Sequence, residues 1–200
     1  MCQVDFGFGV RWMPHGYKVR SERECTQVLV LGSEIRIMEK RALVLTCGNP
    51  QRGDDGVAGQ VADALRAGFC DAETTIRSDQ QWLPEMAELI SEAELVIFVD
   101  ASSELKPGEV RSEEVRARPA SSHAFTHSMT PAGLLSLSKR LYGKAPDSAF
   151  LVTIGGDSFE LSEELSEAVR HAIPDALGQI KAILSGVSVP PHTGSWEKKA

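Results

Sequence analysis

Between residues 42 and 184 short apolar runs alternate with stretches whose apolar positions recur at helical spacing. Ala42–Thr46 is a largely apolar run of strand length, followed by a Gly-rich turn and then by Val57, Val61, Ala62 and Leu65 on one helix face. Thr74–Ser78 fits a second strand and Leu83–Ile90 a second helix. Leu95–Asp100 is a continuous apolar run closed by a carboxylate, the pattern of a parallel strand covered on both faces. Glu109–Val115 alternates weakly, as an edge strand does. Thr130-Pro131 starts a helix with an N-cap hydroxyl and a proline in the first turn, and Leu134, Leu135, Leu137 and Leu141 supply its apolar face. Phe150–Ile154 is a last core strand, and 162–184 holds a long amphipathic helix in which Pro174 would introduce a bend.

Strands alternating with helices predict a three-layer, doubly wound α/β fold with a mostly parallel sheet, as one domain over residues 41–186. In such a fold ligands meet the carboxyl ends of the strands, so the loops after Thr46, after Val99 and before Pro131 are where chemistry is expected. Residues 1–40 show no sustained period of two or 3.6. They read as an N-terminal extension that would be poorly ordered, with Met38 an alternative start of translation just before the first convincing strand. Residues 187–200, with paired prolines, a glycine and a lysine pair, read as a flexible tail.

Composition narrows the picture only where it excludes something. The formal net charge of -7 provides no basic field for nucleic acid or anionic lipid. The longest apolar runs, Leu95–Val99 and Phe150–Ile154, are far short of the roughly 20 residues a membrane span requires. No positive n-region followed by an apolar stretch opens the chain, so a cytoplasmic location is expected. Cys2, Cys25, Cys47 and Cys70 form no Cys-x-x-Cys pair and read as reduced thiols, Cys47 as a buried small hydrophobe. A monomer is expected.

The first loop reads Cys47-Gly48-Asn49-Pro50-Gln51-Arg52-Gly53-Asp54-Asp55-Gly56 and sets two adjacent carboxylates before a helix N-terminus. Either aspartate could be a cap in an otherwise ordinary turn. Asp100 ends the third strand and would reach the same rim, converging with Asp55 if both strands are central neighbours. Taken alone, it too could simply cap a turn. His127 immediately precedes the helix that starts at Pro131, with His123 further back in the same loop. One imidazole beside two carboxylates makes an open N/O site for a borderline metal such as nickel or zinc.

Other architectures that place acids on this rim fit less well. A phosphoacceptor receiver domain needs a lysine after its last strand, where this chain has Gly155-Gly156-Asp157. No Gly-Lys-Ser/Thr follows the first strand, which removes a P-loop, and no Gly-x-Ser-x-Gly elbow supports a serine hydrolase. Leu45-Thr46-Cys47-Gly48-Asn49-Pro50 looks like the opening of peptidyl-tRNA hydrolases, but those need a basic groove, and here an acidic pair follows in an acidic chain.

Across residues 42–184 the sequence resembles the nickel-iron hydrogenase maturation proteases. The resemblance rests on Gly48-Asn49 followed by Gly53-Asp54-Asp55-Gly56, on Val99-Asp100-Ala101, on the segment from His127 to Leu135, and on Asp157-Ser158-Phe159-Glu160-Leu161. It departs from the common pattern at Gly56-Val57-Ala58-Gly59, where the second glycine stands one residue late, which leaves the register and tightness of the helix start open. It implies that Asp55, Asp100 and His127 contact a metal. It implies further that this metal is nickel carried in by the hydrogenase large-subunit precursor, whose C-terminal extension is then cut off, with no organic cofactor. Asp54 is a candidate general base or orienting acceptor, and equally a candidate for holding a metal-contacting residue in place or for capping the turn. A non-catalytic, metal-dependent checkpoint that binds and releases the precursor is the competing function.

Overall fold

The computed structural model describes residues 17–18, 27–31, 34–37, 41–68, 74–118 and 129–186. Three short strands, β1 (Tyr17–Lys18), β2 (Gln27–Leu31) and β3 (Glu34–Ile37), pair antiparallel in the order β1-β2-β3. Val28–Leu31 is an apolar run and Glu34-Ile35-Arg36-Ile37 alternates, but each is too short to show as a sustained period along residues 1–40.

The main sheet contains β4 (Ala42–Cys47), β5 (Thr74–Asp79), β6 (Leu95–Ser102), β7 (Val110–Glu114) and β8 (Ser148–Gly155). Its order is β5-β4-β6-β8-β7, with every pair parallel except β7 against β8. The helices are α1 (Val57–Gly68), α2 (Met86–Glu92), α3 (Pro131–Tyr142) and α4 (Glu167–Leu184). This is the expected doubly wound α/β fold. From β4 the chain goes to β5 on one side and then crosses to β6 on the other, so the order reverses between β4 and β6, and a crevice opens at the carboxyl ends of those two strands.

Strand alternation divides the core into two apolar layers. Val44, Ile97, Val99, Val152 and Ile154 face α1 and α4 and pack with Val61, Leu65, Val169 and Ile180. Leu43, Leu45, Val96 and Phe98 face α2 and α3 and pack with Met86, Ile90, Leu134 and Leu135. Burying one such aliphatic or aromatic side chain contributes about 1.5–3 kcal/mol. That is why β4 and β6, buried on both faces, read as unbroken apolar runs.

The local differences from expectation have local causes. In α3, Leu137 is half-buried and Leu141 is 60% exposed, whereas Ser138 is buried. Ser138 stands four residues after Leu134, on the inward face, and its hydroxyl donates to the Lys144 carbonyl at 2.9 Å beyond the helix end. The helix expected over 83–90 occupies Met86–Glu92, and the long helix expected within 162–184 is Glu167–Leu184, capped by Ser166, whose hydroxyl accepts from the Val169 N–H. α4 runs through Pro174 as one helix. Ala58, the residue at the departure in the family-like pattern, is fully buried in α1, so the helix packs closely there.

Candidate functional site

The loop after β4 is shaped by what two glycines permit. A Cβ on Gly48 would lie 1.9 Å from the Asp55 carbonyl oxygen, so only glycine lets the loop fold back on its own far end. Gly53 has φ +52, the left-handed region, and a Cβ there would meet the Ser158 carbonyl at 2.8 Å. Within the loop the Asn49 side chain accepts from the Gln51 N–H at 2.9 Å, and the Asn49 carbonyl accepts from Arg52 N–H at 3.0 Å. Residues Gly53–Gly56 form one 3-10 turn that runs directly into α1.

Asp54 and Asp55 leave this turn in different directions. Asp54 is fully buried. Its Oδ2 accepts from the Asp157 and Ser158 N–H groups at 2.8 and 3.1 Å, and its Oδ1 accepts from the Ser166 N–H at 2.7 Å. Burial pushes this carboxyl upward, but the backbone N–H groups of Ser166, Ser158 and Asp157 and the Ser166 hydroxyl outweigh it and hold Asp54 below the usual carboxylate range. Asp54 N–H and Gly53 N–H return bonds to the Ser158 and Ser162 carbonyls at 2.9 and 2.7 Å. The acidic loop is thereby fastened to the segment that leads from β8 into α4. Asp55 is only half-buried, and its Oδ2 accepts from the Asn49 N–H at 2.8 Å.

At the end of β6 the face follows from alternation. Val96 and Phe98 belong to the α2/α3 layer, so Asp100, two residues on, points to that side. Leu43 and Leu45 place Cys47 there by the same count. The Asp100 Oδ1 accepts from the Ala101 N–H at 2.9 Å and its Oδ2 from the Trp82 indole N–H at 3.2 Å. Desolvation raises the Asp100 carboxyl to about 6 against the lowering effect of the Trp82 and Ala101 hydrogen bonds, with a further upward push from the charge of Asp55. The loop that carries Asp55 and the strand end that carries Asp100 thus lie on one rim, at the switch point of the sheet. Cys47 lies beside them, 6% exposed. Burial, then Asp100, Asp55 and Asp79, push its thiol up to about 12 against a hydrogen bond with the Trp82 backbone, so at neutral pH it is a protonated thiol and a poor nucleophile.

His127 and His123, expected before α3, lie outside the described residues, as do Cys2, Cys25 and Cys70. The helix that His127 precedes does start as expected. Thr130 caps it, accepting from the Gly133 N–H at 3.1 Å, Pro131 stands at its start, and Met129 packs against the α2/α3 layer, on the side to which Asp100 points. Among the described residues no three His, Cys, Asp or Glu side chains sit close enough to hold a metal ion together. The oxygen donors of Asp55 and Asp100 suit a borderline ion only as a partial set, completed by an imidazole or by ligands the ion brings with it.

A cleft of about 330 Å³ runs along the α1 side of the same loop, lined by Gly48, Pro50, Gly53, Gly56, Gly59, Ser78, Asp79 and Leu165 among others. Asp55 and Asp100 are not part of its lining. Two contributions to the site carried no signal in the sequence. Trp82 stands alone before a helix, where a tryptophan reads as core, and Asn49 supplies its backbone N–H, which sequence does not distinguish from any other.

Solved structures share this arrangement of strands and helices. The hydrogenase maturating endopeptidase HybD from E. coli superposes with a TM-score of 0.61 at 24% identity, over 73% of this chain and 93% of that one. The hydrogenase 2 maturation peptidase from a Thaumarchaeota archaeon gives 0.56 at 26% identity, over 74% of this chain and 100% of that one. The nickel-iron hydrogenase maturation protease HybD from Thermococcus kodakarensis gives 0.54 at 22% identity, over 72% and 98%. The chain has the fold of the hydrogenase maturation endopeptidases. No protein-family model matches its sequence, and no curated protein matches it at the sequence level. In each of these superpositions the relative is matched over nearly its whole length, so the shared unit is a complete domain of that fold.

Proposed function

We propose that this chain is an endopeptidase of hydrogenase maturation, which removes the C-terminal extension of a nickel-loaded large-subunit precursor. One observation carries the reading: the neighbouring parallel strands β4 and β6 bring the loop that holds Asp55 and the strand end that holds Asp100 to the same rim, where the strand order reverses. The fold is that of proteins named as endopeptidases of hydrogenase maturation, which supports the general role.

In this reading the nickel belongs to the substrate. The precursor presents it with some of its coordination filled by its own side chains, and Asp55, Asp100 and His127 meet the open positions. Two carboxylates and an imidazole leave coordination positions open, which suits a site that shares its metal with a partner's own ligands. A metal gripped from both sides supplies Lewis acidity to the scissile carbonyl or to an attacking water. We assign Asp54 a positioning role in place of general base, because its oxygens are buried and engaged with backbone N–H groups. The cleft beside the loop has room for an extended segment of the precursor.

The test is to incubate the full chain with nickel-loaded and nickel-free precursor and to measure the intact mass of each. The reading expects loss of a C-terminal fragment from the loaded form alone. Asp55→Asn and His127→Ala should abolish that loss while leaving the far-ultraviolet circular dichroism spectrum unchanged. Full processing by either variant overturns the assignment of the trio. Stable binding of the loaded precursor with no mass change identifies the chain as the non-catalytic checkpoint.

A further inference from the structure

Trp82 lies in the loop between β5 and α2, and its indole N–H donates to Asp100 Oδ2 at 3.2 Å. The indole is held in turn by Phe98 of β6, two residues before Asp100. The rings stand edge to face, with centroids 5.4 Å apart and an interplanar angle of 82°. Phe98 is fully buried, so the surface that orients the indole is part of the core.

This geometry constrains Asp100 at both oxygens. A carboxylate is free to swing about its last side-chain bond, and a bond to Oδ1 alone, from the Ala101 N–H at 2.9 Å, leaves that rotation only partly restricted. The second bond, on Oδ2, comes from a ring locked against the core and fixes the plane of the group. Each oxygen keeps one further acceptor direction for a ligand. The indole N–H is a donor only, so it cannot compete with Asp100 for a cation. A carboxylate meant to meet a metal that arrives already partly coordinated has to be aimed beforehand, since such sites tolerate about 0.5 Å and 10–20° of error.

We propose that Trp82 is a positioning residue: through its indole N–H it orients the Asp100 carboxylate to receive the metal centre of the precursor. This rests on the proteolytic reading above. If the tryptophan were only a packing residue, its ring shape would matter and its N–H would not. The two are separable with 3-benzothienylalanine, a tryptophan isostere in which sulfur replaces the indole N–H, installed at position 82 of the full chain and compared with Trp82→Phe and wild type.

With nickel-loaded precursor, the isostere should process with kcat about ten- to a hundredfold lower and KM near wild type, the usual effect of removing a partner that orients a ligand. Its melting temperature should fall by only a few degrees, the effect of one lost hydrogen bond, because the packing on Phe98 is kept. Trp82→Phe should lose kcat comparably; if it fails to fold, the isostere alone decides. In the folded protein the Trp82 indole N–H resonance, identified by its disappearance in Trp82→Phe, should move on Asp100→Asn. Wild-type kcat in the isostere, or an indole resonance indifferent to Asp100→Asn, overturns the positioning role and leaves the protease reading intact. A wild-type chain that leaves the loaded precursor uncut overturns that reading, and this one with it.

Discussion

The burial of Asp54 makes a quantitative forecast for Asp54→Asn. The carboxylate accepts three backbone N–H bonds from two oxygens, at 2.7, 2.8 and 3.1 Å. An asparagine can present only one oxygen. Placed at the Oδ2 position, it retains the Asp157 and Ser158 donors as neutral bonds and turns its NH2 group against the Ser166 N–H. One charge-assisted bond is lost outright, at about 1.5–3 kcal/mol, and a buried donor is left without an acceptor at about 1–3 kcal/mol. Allowing for relaxation, about 3 kcal/mol of stability should disappear, which for a chain of this size lowers the melting temperature by about 6–12 °C. The pH dependence has a definite sign. Asp54 is held below its ordinary value of 3.8, so its contribution is complete above that value and is lost as the pH falls through the lower, folded-state value. The gap between wild type and variant should therefore be constant from neutrality to about pH 5 and shrink on further acidification. Thermal denaturation from pH 7 to pH 3 measures it. At a temperature where Asp54→Asn is folded it should still process precursor, whereas a general base removed would cost about 10²–10⁴-fold in kcat. A melting temperature within a degree of wild type, a gap that widens in acid, or a folded but inactive variant each refutes the reasoning.

Two further outcomes follow from the same loop. Gly48→Ala forces a methyl group to within 1.9 Å of the Asp55 carbonyl and should cost about 3 kcal/mol or more, read as a lower urea midpoint; an unchanged midpoint would mean the loop is not folded back as described. Cys47 should resist alkylation at pH 8 in the native protein and react only on unfolding, as followed by peptide mapping, and Cys47→Ala should still process precursor. Rapid native labelling of Cys47 would show that it is neither buried nor fully protonated.

How much of this was legible beforehand depends on the range over which each feature is determined. The central strands were readable because β4 and β6 are buried on both faces and their apolar runs leave no ambiguity. The start of α3 was readable because Thr130 and Pro131 act within one turn of themselves. The strands at Gln27–Leu31 and Glu34–Ile37 were not, because an apolar run of four residues and an alternation of four are too short to stand out as a sustained period. The inward face of α3 was misjudged at Ser138 and Leu141, because the serine hydroxyl is satisfied by Lys144, a partner the helix pattern does not contain. The position of Asp100 on the rim was legible from its place at a strand end. Its bond from Trp82 was not, because that contact spans eighteen positions and is made by a loop whose path the pattern leaves open.

The hardest case is Asp54 against Asp55: the same side chain, one position apart, each offered to the same chemistry. What separates them is the 3-10 turn in which they sit. Such a turn advances by a third of a revolution per residue, so two consecutive side chains cannot both face the rim of the sheet. Asp54 is directed inward, where the N–H groups of the 157–158 loop and of the α4 cap converge on it. Asp55, half-exposed and held by a single N–H, is left at the rim. The inward aspartate fixes the turn, and the fixed turn sets the direction of the outward one. An acidic pair at this position thus divides into a buried clasp and an outward carboxylate, and exchanging their places would require the turn to rotate and give up the bonds to 157, 158 and 166.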